Sequence, residues 1–348
     1  MSGHKDYFPP LDFARGRVEL GHGSGGRATA QLIEELFAAA FDNEWLRRMN
    51  DQAAFEPPPG RLVMTTDGFV VSPLFFPGGD IGCLAVHGTV NDIAMAGARP
   101  LYLSASFILE EGFPLADLHR IVHSMADAAR ATGVPVVTGD TKVVERGKGD
   151  GVFITTTGVG SVPPGVNIDA GRARPGDQII LSGSIGDHGV AILSQRENMG
   201  FDTELRSDTA ALHQLVAAMI AVEPDLHCLR DPTRGGLAAV LNEWARQSRV
   251  GMLIRERDIP IRSEVNAACE FLGLDPLYIA NEGKLVAVCS PECAEDMVAV
   301  MRRHPLGSDT AIIGEVRADD HCFVEMETAF GGTRLVDWLS SDPLPRIC

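Results

Sequence analysis

The last residue of the chain is a cysteine, Cys348, reached through the proline-bearing stretch 342–347. A segment with Pro343 and Pro345 cannot be interior helix, and it holds its end out as a stiff, extended arm. An exposed thiol is uncommon in soluble proteins and open to oxidation. Placed there, it suits a swinging nucleophile, whose thiolate attacks an activated acyl group and keeps it as a thioester-like adduct. An incidental terminal residue is the plainer reading, and exposure alone does not choose between the two.

Four aspartates stand beside small or turn-forming residues: Asp67 in Thr65-Thr66-Asp67-Gly68, Asp92 in Asn91-Asp92, Asp140 in Gly139-Asp140-Thr141-Lys142, and Asp231 in Asp231-Pro232-Thr233-Arg234-Gly235-Gly236. Asp67 and Asp140 follow apolar stretches, which predicts carboxylates at strand ends. Hard oxygen donors there suit magnesium, and neighbouring glycines let phosphates approach the backbone. Singly, each aspartate is a good turn or cap residue; four together argue for a metal–nucleotide site. Lys142 can neutralise charge and Glu282, in Asn281-Glu282-Gly283-Lys284, can accept a proton, although surface ion pairing is the commoner fate of both residue types.

The cluster Gly21-His22-Gly23-Ser24-Gly25-Gly26 matches G-x-G-x-x-G and precedes a helical pattern. A dinucleotide site also needs an acidic residue at the end of the next strand, about 20 positions on, where this sequence reads as helix end and polar loop instead, so Gly23, Ser24, Gly25 and Gly26 read as a loop that touches phosphate through its amides. There is no P-loop sequence, no G-x-S-x-G elbow and no paired C-x-x-C, which argues against a P-loop ATPase, a serine hydrolase and a structural zinc site.

Elements must position these residues. Apolar spacing predicts strands over 17–20, 62–66, 101–109, 134–137, 152–159, 178–181, 250–254, 284–289 and 309–316, and helices over 28–41, 80–96, 115–132, 187–197, 208–222, 235–248, 262–271 and 292–301. A break at 161–165 divides two α/β halves of similar length. The expected organisation is a loose leader over 1–16, a first domain over 17–165, a second over 166–330 and a flexible tail over 331–348. The length of 348 residues accords with two domains. A net charge of −17 disfavours nucleic acid. No apolar run approaches the ~20 residues of a membrane span and no signal peptide is visible, so a cytoplasmic location is expected. Seven scattered cysteines accord with reduced thiols, most of them buried.

Together these blocks, with Leu74-Phe75-Phe76-Pro77-Gly78-Gly79, Gly186-Asp187-His188-Gly189 and the ending Pro345-Arg346-Ile347-Cys348, resemble the HypE family of hydrogenase maturation proteins, within the PurM-like superfamily of aminoimidazole-ribonucleotide synthetase. The resemblance runs from about residue 17 to the end. Several blocks are shared across the superfamily, whereas the terminal cysteine motif is particular to HypE.

The resemblance implies an α/β (α+β), two-domain PurM-like fold whose first-domain strands pair across a homodimer, with ATP bound between domains. It implies that HypF places a carbamoyl group on Cys348, that ATP and magnesium drive loss of water to leave a thiocyanate, and that the cyano group passes to iron on the HypC–HypD complex. Carried onto this sequence, Asp67, Asp92, Asp140 and Asp231 become magnesium ligands. Gly23, Ser24, Gly25, Gly26, Asp67, Asp92, Thr141 and Asp231 become the nucleotide contacts, and Lys142, Glu282 and Cys348 the catalytic residues. A selenophosphate synthetase would want a reactive cysteine near the glycine loop, yet the first cysteine is Cys83. A non-catalytic assembly scaffold would suit the acidic surface but would not need the four carboxylate blocks.

Overall fold

The β-branched runs of the sequence pair into two main sheets, one in each half of the chain. The structure is a computed structural model that describes residues 9–56, 58–196, 205–223, 225–339 and 346–348. In the first half a 3-10 turn (Leu20–Gly23) leads into α1 (Arg27–Leu32), a π-helical turn (Ile33–Ala38) and α2 (Ala39–Phe41). Then follow β1 (Arg61–Phe69), the short ribbon β2 (Phe75–Phe76) with β3 (Gly79–Asp80), α3 (Ile81–Met95), β4 (Arg99–Glu110), α4 (Leu115–Thr132), β5 (Val136–Val144) and β6 (Val152–Val162). The sheet order is β1-β6-β4-β5, antiparallel except for the parallel β4–β5 pair.

α3 starts at Asp80, whose carboxylate accepts the amides of Gly82 and Cys83 at 2.8 and 3.1 Å. This satisfies donors that a helix start leaves unpaired. α3 is buried along most of its length and packs on the sheet, while α4 turns its stripe of Leu118, Ile121, Val122 and Met125 inward. The other sheet face stays open and shows Leu62, Met64, Thr66, Thr155 and Ile108 to solvent.

The second half holds β7 (Gln178–Leu181), α5 (Asp187–Arg196), α6 (His213–Val222), β8 (Cys228–Arg230), α7 (Gly236–Ser248), β9 (Gly251–Arg255), α8 (Ser263–Leu272), β10 (Val286–Cys289), α9 (Pro291–Met301), β11 (Ala311–Arg317), β12 (Val324–Glu327) and β13 (Thr333–Leu335). Its sheet runs β13-β12-β9-β11-β7-β10-β8. The halves share apolar core: Val190, Ile192, Val265 and Ile279 join the first-half cluster, as does Ile347 of the tail.

Several expectations need correction. Residues 17–20 are not a strand: Arg17 makes one isolated bridge to Pro114, and Leu20 begins the 3-10 turn. Residues 9–16 are not loose, since the Leu11 amide donates to Glu35 Oε2 at 2.7 Å and Phe13 stacks at 4.9 Å on His119. Residues 1–8, Glu197, Pro343 and Pro345 lie outside the described residues. The strand read as 134–137 continues to Val144 and β1 continues to Phe69, so Asp67 and Asp140 lie within strands rather than at their ends. Strands β8, β12 and β13 escaped the sequence reading because each is short and, unlike the similarly short β7 and β10, mixes charged residues into its run.

Candidate active site

Two asparagines fasten the loops that bear the candidate residues. Asn281 accepts the Gly186 amide at 2.7 Å and donates to the carbonyls of Pro232 and Ile279, both at 2.9 Å, so three loops of the second half meet on one side chain. Asn91, on α3, donates to the carbonyls of Ala210 and Glu282 and accepts the Leu212 amide at 2.7 Å, which locks the first half onto the second. Both asparagines are fully buried, and leaving such a group unpaired costs about 1–3 kcal/mol. Asp208 adds a third fastening: it accepts the Glu282 amide at 3.0 Å and Lys284 Nζ at 3.2 Å. Gly236 is needed where α7 begins, since its φ is +62° and a Cβ there would lie 2.5 Å from the Leu277 carbonyl oxygen.

These fastenings bring Asp67, Asp92, Asp231, Arg234, Glu282 and Cys348 around one cavity of about 180 Å³. Asp67 comes from β1, Asp92 from α3, Asp231 from the turn after β8, Glu282 from the loop before β10 and Cys348 from the tail. Thr65 donates to Asp92 Oδ2 at 2.7 Å. Burial, then the nearby Asp92 charge, pushes the Asp231 carboxyl up to about 7. The same two causes push Asp67 up to about 6, against the pull of Arg234. Glu282 is 3% exposed and its Oε1 has no hydrogen-bond partner among the described residues. Burial, reinforced by Asp231, Asp208 and Asp67, drives its carboxyl well above the usual range. Glu282 and the Cys348 thiol interact by a hydrogen bond, and burial raises the thiol as well.

Asp67, Asp92 and Asp231 are hard oxygen donors whose mutual repulsion a cation would relieve, so they fit magnesium. Among the described residues no three acidic, histidine or cysteine side chains converge closely enough to hold a metal alone. That suits an ion which keeps waters and takes substrate phosphates as ligands.

Asp140 and Lys142 do not join this cavity. They pair with each other at 2.6 Å on exposed β5. Asp67 aligns with Thr156, Thr156 with Ala105 and Ala105 with Gly139. Asp67 and Asp140 therefore lie three strand spacings apart, roughly 14 Å, beyond the reach of one metal ion. The glycine loop sits by β5: a Cβ on Gly23 would lie 2.5 Å from the Val143 amide nitrogen. Thr29 closes the loop by donating to the Gly21 carbonyl and accepting the Gly25 amide, both at 3.0 Å. Ser24, Gly25 and Gly26 are exposed beside it. An apolar cavity of about 140 Å³ opens next to Asp140 and Thr141, lined by Ile33, Phe37 and Phe41 among others.

The described end of the tail docks on its own chain. The Val70 amide donates to the Cys348 carbonyl and the Ser72 amide to that of Arg346, each at 3.2 Å. Arg196 donates to the Arg346 carbonyl at 2.7 Å, His188 Nε2 meets the Ile347 carbonyl at 2.8 Å, and Ile347 is 3% exposed.

The AIR synthase related protein family matches the chain with its N-terminal domain over residues 49–162 and its C-terminal domain over 174–327. Carbamoyl dehydratase HypE of Azotobacter vinelandii is 70% identical over 338 residues, 97% of this chain and 99% of that protein. This chain belongs to the HypE family of carbamoyl dehydratases. A crystal structure of HypE in complex with ATP superposes with a TM-score of 0.92 at 51% identity, over 95% of this chain and 99% of the other. A HypE from a HypE–HypF complex matches with a TM-score of 0.79 at 50% identity, over 88% and 99%. The resemblance read from the terminal cysteine and the carboxylate blocks is thus confirmed, together with its two-domain PurM-like fold. Among the described residues no helix is long and apolar enough to cross a membrane.

For a HypE, the sequence reading passed over Arg234, Asn91, Asn281, Asp208 and His188. Arg234 lies inside the Asp231 block and was within reach there. Asn91 and His188 also stood inside quoted motifs, but only folding shows what they hold.

Proposed function

We propose that the chain carries a carbamoyl group on Cys348 and dehydrates it there with ATP, and the observation that carries this is the Cys348 sulfur lying against Glu282 in the carboxylate cavity. A carboxamide oxygen is a poor leaving group. Its attack on the γ-phosphorus of ATP forms a C–O–P linkage and releases ADP. Loss of both nitrogen protons then expels phosphate and leaves S–C≡N. Glu282 is the base for those protons: burial raises its affinity for a proton, which makes it a stronger acceptor than an exposed carboxylate. Arg234 faces the sulfur and Asp67 and offsets charge on the departing phosphate. Magnesium, when bound, would be held by Asp67, Asp92 and Asp231 and would supply neutralisation of phosphate charge.

The nucleotide is assigned to the β5 side. The apolar cavity under the π-helical turn takes the base, and Gly23, Ser24, Gly25, Gly26 and Thr141 contact the phosphates. Asp140 and Lys142 then serve a cavity of this kind from a second copy of the chain, packed on the open sheet face that bears Leu62, Met64 and Ile108. A homodimer built this way explains why the two groups of site residues lie at opposite sheet edges. HypF is proposed as carbamoyl donor, and iron on HypC–HypD as acceptor of the cyano group.

Phosphate release tests the reading. With HypF, carbamoyl phosphate and magnesium-ATP, release should require a carbamoylated Cys348, and Cys348→Ala should abolish it. Release that continues unchanged in Cys348→Ala would refute the assignment.

A further inference from the structure

The main chain of the tail's last three residues is held from both sides, while their side chains pair Arg346 with Asp150, bury Ile347 and set the Cys348 thiol on Glu282. Residues 70 and 72 of the first half pair with them on one side, and α5 of the second half grips them on the other through His188 and Arg196. Of the two α5 side chains, His188 stands nearer the sulfur in sequence, because it holds the carbonyl immediately before Cys348.

The hydrogen-bond chain through His188 has one direction. A carbonyl oxygen only accepts, so Nε2 carries the hydrogen bonded to Ile347 O at 2.8 Å. In a neutral ring Nδ1 then accepts, and its partner is the Ser207 hydroxyl at 2.7 Å. The Ser207 oxygen in turn accepts the Thr209 amide at 3.1 Å, and the Ser207 amide donates to the Pro77 carbonyl at 2.8 Å. The ring is fully buried, with Phe76 edge-on at 5.7 Å. Burial lowers its proton affinity, which keeps it neutral. With the tail docked, these bonds fix both the tautomer and the ring orientation.

We infer that His188, oriented by Ser207, is a positioning residue that docks the tail through the Ile347 carbonyl and so sets the Cys348 sulfur against Glu282. The inference rests on the reading of Cys348 as the carrier. Because the grip is on a main-chain carbonyl, it is indifferent to the group on the sulfur. The same histidine can dock the free, the carbamoylated and the cyanated tail. Release to a partner then competes with a small number of hydrogen bonds and one buried isoleucine.

The test uses full-length protein and two readouts. The first is alkylation of Cys348 by iodoacetamide, without ATP or carbamoyl donor, followed by mass analysis of the C-terminal peptide. His188→Leu removes the donor and should label about tenfold faster than the parent, the scale of one lost hydrogen bond. His188→Gln places an amide N–H near the Nε2 position and should restore protection. The second readout is single-turnover dehydration: His188→Leu should lower the rate at saturating ATP and leave the KM for ATP unchanged, with His188→Gln close to the parent. If His188→Leu fails to fold, Ser207→Ala, which frees the ring to reorient, should raise labelling by a smaller factor. Unchanged labelling in a folded His188→Leu, or in Ser207→Ala, overturns the inference, as does a Gln variant no better protected than the Leu variant. Labelling that follows the prediction in a protein that never becomes carbamoylated would instead sink the carrier reading and leave the docking role standing.

Discussion

Asp67, Asp92 and Asp231 share a cavity in which their charges oppose one another, and that has a measurable consequence. Both raised carboxyls start from an ordinary value of 3.8 and stand at about 6 and about 7 in the folded protein. A carboxyl raised on folding adds stability that is fully present below its unfolded value and is lost as pH rises through its folded value. Without divalent cations the melting temperature should therefore fall between about pH 4 and about pH 7, most steeply below about 6, where both carboxyls contribute. Magnesium should restore more of it at the upper pH than at the lower, because it binds the ionised form. Asp92→Asn should flatten this pH dependence, retain carbamoylation of Cys348 and stop dehydration. A melting temperature that rises across the same interval, or an Asp92→Asn variant that still loses water at the normal rate, would show that these carboxylates are not the charged centre of the site.

At the scale of elements, the site draws on five segments, and most of those segments were legible. Helix 115–132 and strand 178–181 were read with the bounds they have, the helix because it buries one apolar stripe and the strand because it is a short apolar run buried on both faces. The carboxylate strands were read too short. Thr66 in β1 faces the open surface, Thr65 and Asp67 face α3 and the carboxylate cavity, and Thr138 to Lys142 in β5 are only partly covered; polarity of this kind in sequence looks like a loop. Asp67, Asp92, Asp231, Glu282 and Cys348 were found as candidates, whereas the distance between Asp67 and Asp140 was not, since strand order is not written in any local pattern. The Asn91 and Asn281 fastenings link residues far apart in sequence and carry no local signature either. Gly236 tests this scale. Gly236→Ala forces a Cβ toward the Leu277 carbonyl at positive φ, and it should destabilise the protein by about 1–3 kcal/mol and slow dehydration by displacing Asp231. A variant with parental denaturation midpoint and rate would show that the turn tolerates a side chain.

The whole molecule places Cys348 and Glu282, the proposed carrier and base, on one side of the first sheet, and Lys142 and the glycine loop on the other. The dimer proposed through the open sheet face would reconcile them. Met64, 73% exposed, lies on that face, so Met64→Glu should yield monomers in sedimentation and lose ATP-dependent phosphate release. A mixture of Lys142→Ala and Glu282→Gln should then regain part of the activity that each lacks alone, because some mixed dimers contain one intact site. Recovery absent from a demonstrably mixed dimer would place Lys142 and Glu282 in separate functions.

The account stands on the chemistry at Cys348, and the mass of the C-terminal peptide reads it most directly. After incubation with HypF, carbamoyl phosphate and magnesium-ATP, the peptide should first gain the mass of a carbamoyl group and then lose that of one water, with Cys348 as the modified residue. A peptide that stays unmodified, or that gains the carbamoyl mass and never loses water while ATP is present, would contradict it.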